Sequence, residues 1–241
     1  MALLDQVVHI KVSPSFSSFH ERLLFRKYPP TMFVLQFLLA LALTRIAVIS
    51  ATPVGQNLHK SDKLVNLTHL PPSQDPFYHI PHNIGSYRKG SIIRSRLIPT
   101  NPQFGDAAGT VYQLFYRTNS VHLKPDATVT TVVAPKQPAK GSPKVVAIAT
   151  PQDSAAFDCT TSWAIYPNST SKEASEANVS ILEAKAALFN GYYVTIPDLE
   201  GSKSAFIAYS EGQAILDGIR AIVNHKDTIP DSKGYRAALT G

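Results

Sequence analysis

The 241-residue sequence has a single cysteine, only 17% charged residues and none of several motifs that would define a function directly. One cysteine cannot form an internal bridge, so a disulfide-stapled mini-protein is excluded. No Gly-x-Gly-x-x-Gly and no Gly-x-x-x-x-Gly-Lys-Ser/Thr occurs, which disfavours dinucleotide-binding and P-loop enzymes. The eight histidines show no metal-ligand spacing, so we expect no metal and no cofactor. The 44% hydrophobic content suffices for the core of one ordinary domain or two small ones.

The formal net charge of +6 does not indicate a nucleic-acid partner. Five basic and two acidic residues lie in residues 1–51, and the remaining chain holds 18 basic and 15 acidic residues. No run of basic residues with interleaved aromatic residues occurs, so we expect no nucleic-acid binding.

Residues 1–51 are predicted to be a leader that contains a secretory signal peptide. Its apolar core, residues 32–43, reads MFVLQFLLALAL, with basic residues before it and small residues after it. This arrangement is typical of signal peptides. A signal anchor over residues 32–51 stays open, although a membrane span needs ~20 apolar residues. We therefore expect a secreted, extracellular protein.

Three sequons agree with secretion, at Asn66, Asn168 and Asn178. Single triplets of this kind arise by chance, but three after a signal sequence predict a glycoprotein. In the oxidising secretory route, Cys159 either has a partner outside this chain or is a buried free thiol.

The rest of the chain predicts an arm followed by an α/β domain. Residues 52–90, rich in Pro, His, Ser and Asn, predict an irregular N-terminal arm. Strands are predicted at 91–98, 109–118, 127–134, 144–150, 192–196 and 235–240. One helix is predicted within 173–189, ending at Asn190-Gly191, and another begins with a capping box at Ser210 and Gln213. The order predicts a mixed sheet that becomes parallel, with helices on both faces.

The last predicted helix is amphipathic. Its apolar stripe consists of Ile215, Ile219, Ile222 and Val223, and its polar face of Asp217, Arg220 and Asn224.

Five blocks in order resemble the fungal secretory lipases of the lipase-A type. They are residues 75–99, 111–120, 151–163, 191–201 and 211–221. The resemblance runs from about Asp75 to Gly241, and it depends on the order and spacing of the blocks rather than on any one of them. It implies an α/β-hydrolase fold, a Ser–Asp–His triad and hydrolysis of fatty-acid esters at a lipid–water interface. It implies no protein partner.

The end of the sequence departs from the family pattern. In the family, the strand equivalent to residues 235–240 leads into a Gly-x-Ser-x-Gly nucleophile elbow. Here Gly241 stands in the position of the first glycine, and no Gly-x-Ser-x-Gly occurs in residues 52–241. The resemblance therefore implies that residues 91–241 are the amino-terminal half of a hydrolase domain, truncated at the elbow and inactive as given.

Two hypotheses stay open at this point. The chain is part of a secreted triacylglycerol lipase or carboxylic ester hydrolase whose triad lies beyond Gly241. Alternatively, it is a catalytically inactive secreted protein that binds lipid or cell-wall material.

The resemblance assigns the oxyanion-hole residue to Asp153, in the loop after the strand at 144–150. An ionised carboxylate cannot donate a hydrogen bond to a developing oxyanion, so we expect the backbone N–H of Asp153 to act. Asp153 or Ser154 alternatively caps a helix that begins at Ala155, and the two roles are compatible.

Three further side chains have expected roles. The family resemblance implies that Cys159 is one half of a disulfide with a cysteine far downstream. Asp198 and Glu200 follow a buried strand at the carboxyl edge, and we expect them to hold their loop rather than to form an acid/base pair. His225, near a helix end, is expected to interact favourably with the helix dipole.

Overall fold

The computed structural model describes residues 70–241 apart from Asp153, Ala155, residues 172–173 and residues 202–207. The predicted leader, the sequon at Asn66 and the first part of the arm lie outside the described residues. The described part of the arm is irregular, with two 3-10 turns at Pro76–Tyr78 and Ile84–Ser86.

Six strands and three helices form the described part of the chain. The strands are β1 (Ile92–Ile98), β2 (Ala108–Asn119), β3 (Pro125–Pro135), β4 (Lys144–Ile148), β5 (Tyr193–Pro197) and β6 (Arg236–Thr240). The helices are α1 (Thr161–Ala164), α2 (Ala174–Phe189) and α3 (Ala208–Asn224). The spatial order of the strands is β1-β2-β3-β5-β4-β6. The pairs β1–β2, β2–β3 and β3–β5 are antiparallel, and β4 pairs in parallel with β5 and β6. The predicted change from antiparallel to parallel pairing is therefore confirmed.

Helices cover both faces of the sheet, as predicted. Alternate strand residues point to opposite faces, and they divide between two buried clusters. The first cluster joins Val133, Ile148 and Val194 to the α2 residues Ala177, Ile181, Ala184 and Leu188. The second joins Val132, Ala147 and Tyr193 to the α3 residues Ile215, Ile219, Ile222 and Val223. The apolar stripe predicted for α3 is the one that is buried.

The end of α2 is fixed by the predicted Asn190-Gly191 pair. Gly191 has φ +73°, and its N–H donates to the Leu188 carbonyl at 2.9 Å. A Cβ on Gly191 would lie 2.5 Å from the Ala139 nitrogen. The position therefore requires glycine both for its left-handed backbone and for the close approach of another loop.

Two details of α3 differ from the prediction. The helix begins at Ala208, so Ser210 lies in its first turn and is not the N-cap. Asp217, predicted on the exposed polar face, is only 1% exposed. The reason is that the end of β2 and the turn at Gly90 cover a second side of α3. The Thr118 hydroxyl donates to Asp217 at 3.0 Å, and a Cβ on Gly90 would overlap the Arg220 side chain.

His225 is buried just after the end of α3. Burial lowers the pKa of His225, so the ring is neutral at neutral pH. Its Nδ1 lies 2.7 Å from the Thr228 hydroxyl, and its ring packs on Tyr112. These contacts explain its position, and the expected interaction of a charged ring with the helix dipole does not.

No helix within the described ranges combines the length and the apolar character that a membrane crossing would need.

Candidate active site

The carboxyl ends of the three parallel strands bring separate chain segments to one edge of the sheet. Because β4 lies between β5 and β6, the loop after β4 is flanked by the residues that follow the other two strands. On the β6 side, the Ala149 N–H donates to the Thr240 carbonyl at 2.8 Å. A Cβ on Gly241 would overlap the Ala149 carbonyl oxygen, so the backbones approach too closely there for any residue but glycine. This is the edge where α/β proteins place their ligands.

The loop after β4 contains Asp153, which lies outside the described residues, as does Ala155. Their neighbours show how the loop is held. The Thr161 hydroxyl donates to the Gln152 side-chain oxygen at 3.3 Å, and the Ser154 hydroxyl accepts the Ala156 N–H at 3.2 Å.

The alternative of a helix that begins at Ala155 is wrong. Ala156 has an extended backbone, with φ −80° and ψ +125°. A 3-10 turn follows at Phe157–Cys159, and α1 begins only at Thr161.

Ser162 of α1 is bound by a buried carboxyl that follows β5. Asp198 accepts the Ser162 N–H and the Ser162 hydroxyl, both at 2.6 Å. The Tyr78 hydroxyl, from the arm, lies 2.8 Å from the same Ser162 oxygen. Ser162 is 0% exposed, Asp198 3% and Tyr78 6%. The expectation that Asp198 holds a loop agrees with these contacts, and Glu200 is likewise buried.

Burial dominates the electrostatics of this group. It raises the pKa of Asp198 to about 7, against the opposing effect of the two hydrogen bonds from Ser162. It also raises the pKa of Tyr78 well above its usual range, and the nearby negative charge of Asp198 adds to this shift. Asp198 therefore carries its proton much of the time near neutral pH, and Tyr78 is always neutral there.

The same group continues across β2 and β1 to the arm. The Gln113 side-chain amide donates to the Ser162 carbonyl at 2.8 Å, and its oxygen accepts two N–H groups of Arg96 at 2.8 and 2.6 Å. Arg96 also pairs with Asp75 at 2.6 Å. We call Tyr78, Gln113, Ser162 and Asp198 the Ser162 network.

A very small cavity lies beside Asp198. Its volume is about 10 Å³, and Tyr78, Thr128, Thr160 and Asp198 contribute to its lining. Such a volume is close to the minimum for one water molecule. An ester substrate cannot reach Asp198 through this cavity.

Cys159 is a partly exposed free thiol, so it is not the buried small side chain that the sequence left open. Its neighbour Asp158 accepts the N–H and the hydroxyl of Ser73 at 2.8 and 2.7 Å. These bonds hold the turn that carries Cys159 against the arm.

The two described sequons differ in accessibility. Asn168 is exposed in a turn, with φ +60°. Asn178 is exposed on α2, but the hydroxyl of Ser180 in the same sequon is buried and donates to Thr150 at 2.8 Å. The fold therefore buries the hydroxyl of the Asn178 sequon, whereas Asn168 of the other sequon is exposed.

The described residues contain no cluster of three or more His, Cys, Asp or Glu side chains suited to a metal ion. Sequence reasoning did not find Ser162, Tyr78 or Gln113. No motif marks them, because the partners of Ser162 lie 36, 49 and 84 positions away along the chain.

Known proteins resemble this chain in sequence and in structure. A family model described as secretory lipase matches residues 169–241. Lipase A of Moesziomyces aphidis is 38% identical over 192 residues, which are 78% of this chain and 39% of that protein. Secreted triacylglycerol lipase LIP2 of Malassezia globosa is 38% identical over 161 residues, 66% of this chain and 35% of that protein.

The X-ray structure of Candida antarctica lipase A in its closed state matches with a TM-score of 0.64 and 39% sequence identity. The match covers 70% of this chain and 39% of that one. The chain thus spans about two fifths of the length of such relatives. In sequence and in its α/β-hydrolase sheet, the chain belongs to the fungal secretory lipase family of the lipase-A type.

Proposed function

We propose that this chain is part of a secreted carboxylic ester hydrolase that acts on lipid esters such as triacylglycerols at a lipid–water interface. The observation that carries the proposal is its 38% identity to a secreted triacylglycerol lipase, together with the edge of the sheet where the β4 loop meets Gly241. The proposal includes no cofactor and no nucleic-acid partner.

The reaction follows from the serine chemistry of α/β-hydrolases. A serine oxygen bonds to the ester carbonyl carbon while its proton passes to histidine, and the alcohol leaves with that proton. Water then attacks the acyl-enzyme and releases the fatty acid. We propose that Gly241 is the first glycine of the Gly-x-Ser-x-Gly elbow, because its close contact with Ala149 leaves no room for a side chain.

Asp153 is proposed to supply one donor of the oxyanion hole through its backbone N–H. The neighbouring residues support this role, since Gln152 is tied to α1 and the loop lies at the carboxyl edge. A backbone donor does not depend on the charge of the Asp153 carboxyl.

Secretion, glycosylation and a disulfide belong to the same proposal. The exposed turn at Asn168 suits a glycan, whereas Asn178 can be modified only before α2 folds and buries Ser180. The partly exposed thiol of Cys159 is accessible to a second cysteine. The masses of Asn168→Gln and Asn178→Gln variants before and after enzymatic deglycosylation test the glycans. Because Asn168→Gln lacks the exposed acceptor, we expect it to lose less mass on deglycosylation than Asn178→Gln. An equal or larger mass loss from Asn168→Gln would overturn this preference.

The decisive experiment sequences the transcript past the Gly241 codon and assays the product secreted from it. We expect hydrolysis of p-nitrophenyl esters and of triacylglycerol, blocked by a serine-directed phosphonate. No turnover and no phosphonate labelling by that product would refute the enzyme proposal and favour the inactive, lipid- or cell-wall-binding alternative.

Two variants then test the role of Asp153. Asp153→Pro removes the N–H and should lower kcat by roughly 10²–10³-fold. Asp153→Asn retains the N–H and should stay within about tenfold of the parent. Equal losses in the two variants would contradict a backbone donor.

A further inference from the structure

We propose that the Ser162 network positions the β4–α1 loop, residues 149–160, for ester hydrolysis. Ser162, Asp198 and Tyr78 are thus positioning residues and not catalytic residues. The inference rests on the proposed function, because the loop is the one that carries Asp153.

Every polar atom of Ser162 has a hydrogen-bond partner, and these partners come from three parts of the fold. Its N–H and hydroxyl donate to Asp198, which follows β5. Its carbonyl accepts from Gln113 of β2, and its hydroxyl oxygen also contacts Tyr78 of the arm. The start of α1 is therefore hydrogen-bonded to the residue after β5, to β2 and to the arm.

The contacts that fix Ser162 also restrain the loop that precedes it. Thr161, the adjacent residue, donates its hydroxyl to Gln152 at 3.3 Å, and Gln152 precedes Asp153. On its other flank, Ala149 is bound to Thr240. Both ends of the loop are thus hydrogen-bonded to the sheet, one of them through the Ser162 network.

A serine that is hydrogen-bonded to a buried carboxyl could be taken for the catalytic nucleophile. The geometry excludes this role for Ser162. Ser162 is fully buried, and its hydroxyl donates to Asp198 at 2.6 Å. The cavity beside them, of about 10 Å³, holds at most one water molecule. No reacting ester can approach this hydroxyl.

The test compares two buried tyrosine hydroxyls. Tyr78→Phe removes the contact with Ser162, which measures 2.8 Å, and Ser162→Ala removes the serine hydroxyl itself. Tyr116→Phe is the matched control, because Tyr116 is also buried and its hydroxyl donates to the Ala214 carbonyl of α3 at 2.7 Å. The control loses a comparable bond on the opposite face of the sheet.

Two measurements are made on the product secreted from the complete transcript. Hydrogen–deuterium exchange in residues 149–160 should become at least roughly tenfold faster in Ser162→Ala and Tyr78→Phe, and should not change in Tyr116→Phe. Hydrolysis should show kcat lowered by roughly tenfold or more in the first two variants, with KM within about twofold of the parent.

The two readouts separate the two claims. Loop exchange that is the same in Tyr78→Phe and Tyr116→Phe would overturn the positioning role. Faster loop exchange with an unchanged kcat would also overturn it for catalysis. Faster loop exchange in a protein without any turnover would support the structural part of the inference and count against the proposed function.

Discussion

The buried carboxyl of Asp198 should make the stability of this protein fall as the pH rises from acid to neutral. Burial raises the pKa of Asp198 from 3.8 to about 7 in the folded protein. Between these two values the folded chain keeps a proton that the unfolded chain has lost. The contribution of Asp198 to the free energy of unfolding is therefore complete below pH 3.8 and is lost as the pH rises through about 7.

The magnitude follows from the size of the shift. A difference of ~3 pKa units corresponds to ~4 kcal/mol. Asp198→Asn removes the titration and keeps a carbonyl that can accept the Ser162 N–H. Relative to that variant, wild type should lose ~4 kcal/mol of unfolding free energy between pH 4 and pH 8. The comparison cancels the titration of the other carboxylates, which both proteins share.

Urea unfolding at a series of pH values measures this difference. Trp163 is the single tryptophan, is 6% exposed and is next to Ser162, so its fluorescence reports directly on this part of the fold. Asp106→Asn makes the same replacement at an exposed carboxylate and serves as the control for the change of side chain. A difference between wild type and Asp198→Asn that stays constant within ~1 kcal/mol from pH 4 to pH 8 would refute the reasoning.

Three other predictions concern stability and solubility. Burial lowers the pKa of His225, so its contribution to the free energy of unfolding should fall as the pH drops below about 6.5. In urea unfolding, this part of the pH dependence should be absent from His225→Asn. Gly191→Ala should cost ~2 kcal/mol or more in urea unfolding, because its φ is +73° and its Cβ would meet Ala139. Gly212→Ala, in open space on α3, should instead stabilise by ~0.5–1 kcal/mol, and a loss there would contradict the argument. Phe189 is 84% exposed, so Phe189→Lys should reduce light scattering at high concentration while changing stability by less than ~0.5 kcal/mol; unchanged scattering would contradict this prediction.

The parts of the fold that depend on local signals could be predicted from the sequence. The runs in β3, β4 and β5 are rich in Val, Ile and Thr, and such residues favour strands wherever they lie in the sheet. The end of α2 could be predicted because Asn190-Gly191 stops a helix by its own backbone preference. The start of α3 could not, because a serine followed by Gln213 resembles a cap even within the first turn of a helix.

For the side chains of α3, burial could be predicted from the sequence only where it depends on packing against the sheet alone. The stripe of Ile215, Ile219 and Ile222 faces the sheet because helical spacing alone puts these residues on one side. Asp217 lies on another side of the same helix and is buried by the turn at Gly90. That turn is more than a hundred positions away in the sequence, so periodicity within α3 carries no information about it.

The candidate site shows the same limit more clearly. Asp198 could be placed at the carboxyl edge from the sequence because it directly follows a buried strand. Its hydrogen-bond partner, Ser162, could not be found from the sequence. In the sheet β4 lies between β5 and β6, whereas along the chain β5 lies between β4 and β6. This order brings the residues after β5 and those after β6 to opposite sides of one loop. The loop is therefore held by Ser162 and Asp198 on one side and by the hydrogen bond between Ala149 and Thr240 on the other, which no pair of neighbouring motifs could indicate.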